Sequence, residues 1–213
     1  MLLLACAIGF LIALVQLHIL EVAFDKLGLS HFAAYLLLAS TLAGSLVNVP
    51  LFRMRVGQPD IDRPVEALPA ALPFEHLPLR KSTLVAVNVG GCLIPLSFSF
   101  YLMTHSDLGL AEVAVAVTAV ACVAYLTSRP MRGIGVAIPI LVAPVTAALV
   151  ATLLDPEQRA PLAYVSGTVG VLLGADIFRL RDIRAMGSPL ASIGGAGSFD
   201  GIFVAGLFAV LLT

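Results

Sequence analysis

The sequence predicts an all-α fold, a polytopic membrane helix bundle of about seven transmembrane helices. Three observations predict it. First, 60% of the 213 residues are hydrophobic and only 12% are charged, against about 25% charged in ordinary soluble domains. Second, the apolar residues gather in runs close to the roughly 20 residues that cross a bilayer core as a helix. Third, the basic residues are distributed between loops in a way that orients such a bundle. This composition argues against a cytosolic enzyme, a secreted disulfide scaffold and a disordered chain. A net charge of −1 offers no basic footprint for nucleic acid.

Taken in order, the expected spans are about 1–24, 32–52, 82–104, 109–127, 134–154, 160–178 and 197–213, all in one transmembrane domain over 1–213. The first run has no basic n-region, is too long for a signal peptide and lacks a small-x-small cleavage motif, so it reads as a retained helix. The second runs from Phe32 to Phe52 and carries Asn48 and Pro50 near its end. Residues 53–81 follow, with prolines 59, 64, 69, 73 and 78. Proline at that density forbids a long helix, so an extended, proline-rich cytoplasmic loop at the membrane surface is expected. The third span carries Asn88, Gly90, Gly91 and Pro95; the fourth is rich in alanine and valine. Pro139 and Pro144 loosen the fifth. In the sixth, Gly170 and Gly174 form a small-xxx-small face that permits close helix contact. A loop with Arg179, Arg181 and Arg184 leads to the glycine-rich start of the seventh.

Orientation follows from lysine and arginine. Arg53, Arg55, Arg63, Arg80, Lys81, Arg129, Arg132, Arg179, Arg181 and Arg184 fall in loops on one side, and Lys26 and Arg159 on the other, ten against two of the 12 basic residues. The expectation is a multi-pass protein of the inner (plasma) membrane with its N-terminus cytoplasmic and its C-terminus outside. The lipid bilayer is then its first partner. Cys6, Cys92 and Cys122 lie inside apolar runs without metal-ligand spacing and read as small hydrophobes. Neither a metal nor an organic cofactor is expected.

Carboxylates at depth in a membrane are costly and point to function. Asp176 lies near the cytoplasmic end of the sixth span and Asp200 near the cytoplasmic start of the seventh. The loop between them returns the chain to the same face, so the two can meet. Gly174, Gly197 and Gly201 keep bulk away from them. Asn48 and Asn88 fall on the same side and either line a shared polar cavity or act as interhelical hydrogen-bonding groups. Each aspartate also has a plain alternative: Asp200 as the N-cap of the last helix, and Asp176 as an interfacial partner of Arg179 or Arg181. On the outer side, His18, Glu21, His105, Asp107 and Glu112 read as interface residues that reach water, the alternative being a weak metal or proton site of His18, Glu21 and His105.

The pattern Tyr164-Val-Ser166-Gly167-Thr-Val-Gly170-Val-Leu-Leu-Gly174-Ala-Asp176, followed by Gly194-Gly-Ala-Gly197-Ser-Phe-Asp200-Gly201, resembles a bacterial and archaeal family of uncharacterised multi-pass membrane proteins, a domain of unknown function. More distantly it resembles the intramembrane aspartyl proteases of the presenilin, signal peptide peptidase and prepilin peptidase type. That resemblance implies an Asp176/Asp200 catalytic dyad, one carboxyl acting as general base on water and the other as general acid, with a transmembrane segment as substrate. The departures are plain. The protease Tyr-Asp is Ala175-Asp176 here, Gly-x-Gly-Asp is Gly197-Ser-Phe-Asp200, and the nearest Pro-Ala-Leu equivalent, Leu68-Pro-Ala-Ala-Leu72, lies in a loop. Two other functions use the same residues: a small proton- or ion-coupled transporter with Asp176 and Asp200 as ion-binding carboxylates, or a non-enzymatic subunit of a larger membrane complex that docks through the proline-rich loop.

Overall fold

A computed structural model describes residues 18–55, 82–131, 135–185, 190–195 and 201–213. Helix α1 (His18–Lys26) and α2 (His31–Gly44) meet at a bend of 112°. Gly28, at φ +71, turns the chain there, and Ser30 caps α2 by accepting from Ala33 N. Strand β1 (Asn48–Arg55) and strand β2 (Ser82–Asn88) follow, then a π-turn (Val89–Leu93) that runs into α3 (Ile94–His105). Helix α4 (Leu110–Thr127) leads to a small hairpin of β3 (Arg129–Met131) and β4 (Gly135–Ala137). Helices α5 (Val142–Leu154) and α6 (Arg159–Val171) come next, and α6 passes through a second π-turn (Leu172–Ile177) into α7 (Leu180–Ala185). Strand β5 (Leu190–Ile193) and α8 (Gly201–Leu212) complete the described chain.

The fold is mainly helical, but it is not all-α. Strands β1, β2 and β5 form one sheet in the order β1-β2-β5. β1 pairs antiparallel with β2 from Asn48↔Asn88 to Arg55↔Ser82, with a bulge between Pro50 and Phe52; β2 pairs parallel with β5 from Leu84↔Leu190 to Val87↔Ile193. The helices expected over 32–52, 82–104 and 134–154 are therefore each shortened by a strand. The reasons are local. Proline at 50 cannot continue a helix and drives the residue before it toward extended backbone. Ser82–Asn88 is rich in β-branched residues, which suit a pleated sheet. Gly135–Ala137 stops short of Pro139, which has the same extending effect on Ile138. The first residues of the expected loop, 53–55, belong to β1, and 56–81 lie outside the described residues, as do 1–17 of the first span.

Helix α6 is the axis of the bundle. Eleven of its 13 residues are buried, and α3, α4, α5 and α8 pack around it. Small residues let them approach. A Cβ on Gly170 would meet Val120 at 2.6 Å, one on Gly174 would strike the Ala121 carbonyl, and one on Gly167 would press on the Ala205 carbonyl and the Gly206 Cα at 3.2 Å. The expected close-contact role of Gly170 and Gly174 thus joins α6 to α4. Phe98 stacks edge-on against Tyr164 at 5.0 Å between ring centroids and closes the α3 side.

Among the described residues two helical stretches are long and apolar enough to cross a membrane, Leu110–Thr127 and Arg159–Asp182, or three if the bent α1–α2 pair counts as one. Shorter apolar helices cover Val89–His105, Val142–Leu154 and Ile202–Leu212.

Candidate functional site

Asn48, Asn88 and Asp176, three of the polar residues singled out by the sequence, collect where the two π-turns approach the end of the sheet. Asn88 is 1% exposed and ends β2. Its Oδ1 accepts from Gly91 N at 2.7 Å, capping the first π-turn. Its Nδ2 donates to the Ser45 carbonyl at 2.7 Å, just past α2, and to Asn48 Oδ1 at 3.2 Å on β1. One side chain therefore ties together the end of α2, the start of β1 and the start of the π-turn. The close approach of Gly44 to Gly90 makes this possible: a Cβ on Gly44 would lie 2.9 Å from Gly90 N, and one on Gly90 would run into the Thr41 carbonyl. Asn48 and Asn88 thus meet through a direct hydrogen bond, and Asn88 has an architectural role.

Asp176 sits inside the second π-turn, at the end of the buried axis helix. A π-turn adds a residue to the helical ring and leaves carbonyls out of step, an arrangement often found at functional sites. Asp176 Oδ2 accepts the backbone N–H of Gly194 at 3.2 Å. Gly194 and Gly195 both have φ +84, a conformation that glycine adopts without strain. A Cβ on Gly194 would lie 2.6 Å from Cys92 Cβ in the first π-turn. The Gly194–Gly195 turn is therefore wedged between the two π-turns, with Asp176 on one side and Cys92 on the other. Ser192, two residues earlier on β5, completes the cluster: its Oγ lies 2.5 Å from Asn48 Oδ1 and 2.5 Å from the Gly195 carbonyl. Sequence reasoning missed Ser192, because only the parallel pairing of β5 with β2 brings residue 192 near residue 48.

Asp200 and Gly197 lie outside the described residues, and Gly201 is the first residue of α8. Gly174 faces Ala121 of α4. Arg179, one expected partner of Asp176, donates from Nη1 to Asp182 Oδ2 at 2.9 Å. Its Nη2 reaches the Tyr125 and Ser128 carbonyls at 2.6 and 3.0 Å, and its guanidinium lies 4.2 Å from the centre of the Tyr125 ring. It therefore closes the C-terminus of α4, where a cation is favoured.

At the opposite end, Tyr35 donates to Glu21 Oε1 at 2.5 Å and His18 lies 3.6 Å from Glu21, joining α1 to α2. Lys26 donates to the Val210 and Leu211 carbonyls and closes the end of α8. His105 contacts Thr104 and Tyr101 of its own helix. Among the described residues no three of His, Cys, Asp and Glu gather as a metal cluster.

Neither a curated protein nor a solved structure matches the chain. A family model described as "protein of unknown function (DUF1614)" matches residues 42–212, a stretch that runs from the last turn of α2 to the end of α8 and takes in both π-turns and all five strands, and the chain belongs to that family.

Proposed function

We propose that the protein is a multi-pass membrane protein that acts as a small proton- or ion-coupled transporter, with Asp176 and Asp200 as its coupling carboxylates. The observation that carries this reading is the π-turn that holds Asp176 within the buried helical stretch Arg159–Asp182. A carboxylate in a π-turn, held by the N–H of a glycine turn and flanked by a second π-turn, has the makings of an ion site, since π-helical departures gather at functional sites and carboxylates at membrane depth mark ion and proton pathways. The composition of the outer surface supports the membrane setting. Phe32, Leu36, Phe100, Leu110, Leu126, Leu149 and Leu153 are large, apolar and exposed on α2, α3, α4 and α5, far more than a water-facing surface of scattered apolar residues requires. An open sheet edge is excluded from hydrocarbon, so β1 belongs at the headgroup level. The ten-to-two bias of basic residues supports placing that level on the cytoplasmic side of the inner (plasma) membrane, in the proposed arrangement of seven crossings with the N-terminus cytoplasmic.

The test uses the purified chain in lipid vesicles with a trapped pH-sensitive dye. Under an imposed pH gradient, proton flux exceeds that of empty vesicles and falls at least tenfold in Asp176→Asn. Equal flux in the wild type and Asp176→Asn overturns the reading.

A second reading, intramembrane aspartyl proteolysis, is favoured by a groove of about 620 Å³ beside the Asp176 turn, lined by Tyr125, Ile177, Phe178, Leu180, Arg181 and Asp182. An unwound substrate segment could lie there, and Asp200 follows the Asp176-bound Gly194 by six residues. Cleavage of single-span substrates in lipid, abolished by both Asp176→Asn and Asp200→Asn, is the result it requires. Cleavage that survives either substitution rules it out.

A further inference from the structure

Three oxygens from two strands and a turn converge in the cluster with one proton among them. Asn48 Oδ1 and the Gly195 carbonyl each lie 2.5 Å from Ser192 Oγ. A hydroxyl has one proton and donates to one of them. Turning over the Asn48 amide would ordinarily supply a second donor, but the neighbouring asparagine forbids it. Asn88 Nδ2 already donates to Asn48 Oδ1 at 3.2 Å. The Asn88 amide is itself fixed, since its Oδ1 accepts from Gly91 N and its Nδ2 donates to the Ser45 carbonyl, each at 2.7 Å. A turned Asn48 would set two NH₂ groups against each other. Among the described residues the cluster therefore holds one more acceptor contact than its donors serve, at residues that are only partly buried and so open to entry.

We propose that Asn48 Oδ1, Ser192 Oγ and the Gly195 carbonyl bind a small monovalent cation of the sodium class. Oxygen ligands suit hard cations. Three neutral oxygens fit a single charge better than a divalent ion, which holds its water tightly and is usually bound through carboxylates. A carboxyl group stands nearby: Gly194, adjacent to the ligating Gly195, donates its N–H to Asp176. The cation is thereby linked through one glycine turn to the carboxylate of the proposed transport function. Its role in coupling rests on that function; its binding does not.

Thermal unfolding of the full chain in detergent tests the site, with NaCl replacing choline chloride at constant ionic strength. Sodium raises the wild-type Tm in a saturable way, as a ligand of the folded state does. Ser192→Ala abolishes the rise. Asn48→Asp keeps the acceptor toward Asn88, adds a charge and lowers the half-saturating sodium concentration at least tenfold. If Ser192→Ala does not fold, Asn48→Asp decides alone. A wild-type Tm indifferent to sodium, or a sodium response unchanged in both variants, overturns the site. Vesicle flux separates the two proposals. Sodium-dependent stability without flux upholds the site and ends the transport reading, whereas flux with a sodium-indifferent Tm removes the site alone.

Discussion

Asn88 shows how much one buried amide can hold. Its two polar atoms serve Gly91 N, the Ser45 carbonyl and Asn48 Oδ1, and a buried partner left unpaired costs about 1–3 kcal/mol. Asn88→Ala is therefore expected to destabilise the fold by about 2–4 kcal/mol, since it orphans a donor and an acceptor together, and chemical unfolding in detergent checks this. Asn88→Asp should restore little, because a carboxylate accepts from Gly91 N but cannot donate to Ser45. Gly194 makes a second, conformational demand. At φ +84 and with Cys92 Cβ 2.6 Å from any added Cβ, Gly194→Ala is expected to cost more than Gly28→Ala. Gly28 has the same sign of φ but open space around it, so its alanine pays only the left-handed penalty of about 1–2 kcal/mol. Paired unfolding curves of the two variants measure the difference. The asparagines and the glycine pairs were legible in the sequence as unusual at their positions. Their partners were not, because a hydrogen bond between residues 48 and 192 depends on a strand order that local pattern does not encode.

At the scale of elements, the contact of α4 with the π-turn that continues α6 depends on a missing side chain. Gly174 faces the Ala121 backbone, and the Ala121 Cα and carbonyl carbon would lie 3.0 Å from an added Cβ. Gly174→Ala is expected to push the helices apart and cost about 1–3 kcal/mol by overpacking, read as a lowered Tm. The small-xxx-small spacing announced this contact correctly. The same sequence reading failed on β1, β2 and β4 for a reason of period. Runs such as Leu84–Val87 and Gly135–Ala137 are short and apolar throughout and carry neither the 3.6-residue nor the two-residue signature, so periodicity alone does not separate them from a piece of helix. Within Ser82–Asn88 all but two residues are buried, and the alternation that marks a half-exposed strand is absent. Pro50 and Pro139 were visible as helix breakers. The composition of the whole run nevertheless dominated the assignment.

The whole molecule wears much of its hydrophobic surface outward, and this gives a direct test of its setting. Leu149, within α5, is 59% exposed. In a bilayer, Leu149→Arg costs roughly 3 kcal/mol of insertion and should move the protein out of the membrane fraction or abolish its accumulation. On a water-facing surface the same change would improve solubility, and fractionation of cells that express the variant distinguishes the two outcomes. A reporter fused after Thr213 should read as external, as the basic bias requires; a cytoplasmic signal would remove one crossing or invert the chain. The bundle, with its glycine-lined axis helix, could be anticipated from apolar runs and small-residue spacing. The three-stranded sheet could not, since its parallel pair joins segments about a hundred residues apart.

That pairing has a consequence for the order in which the molecule comes together. β1 and β2 are consecutive strands and can pair once residue 88 is made, whereas β5 is made only after α3 through α7. Loop closure over such a distance is slow and waits for the intervening chain to be compact. The final strand acts as a clasp fastened last. Until it closes, the Gly194–Gly195 turn, Ser192 and the N–H that Asp176 accepts are not in place. A growing or truncated chain that stops short of β5 therefore has the helices that precede it without the contacts that Ser192 and Gly194 make to Asn48 and Asp176.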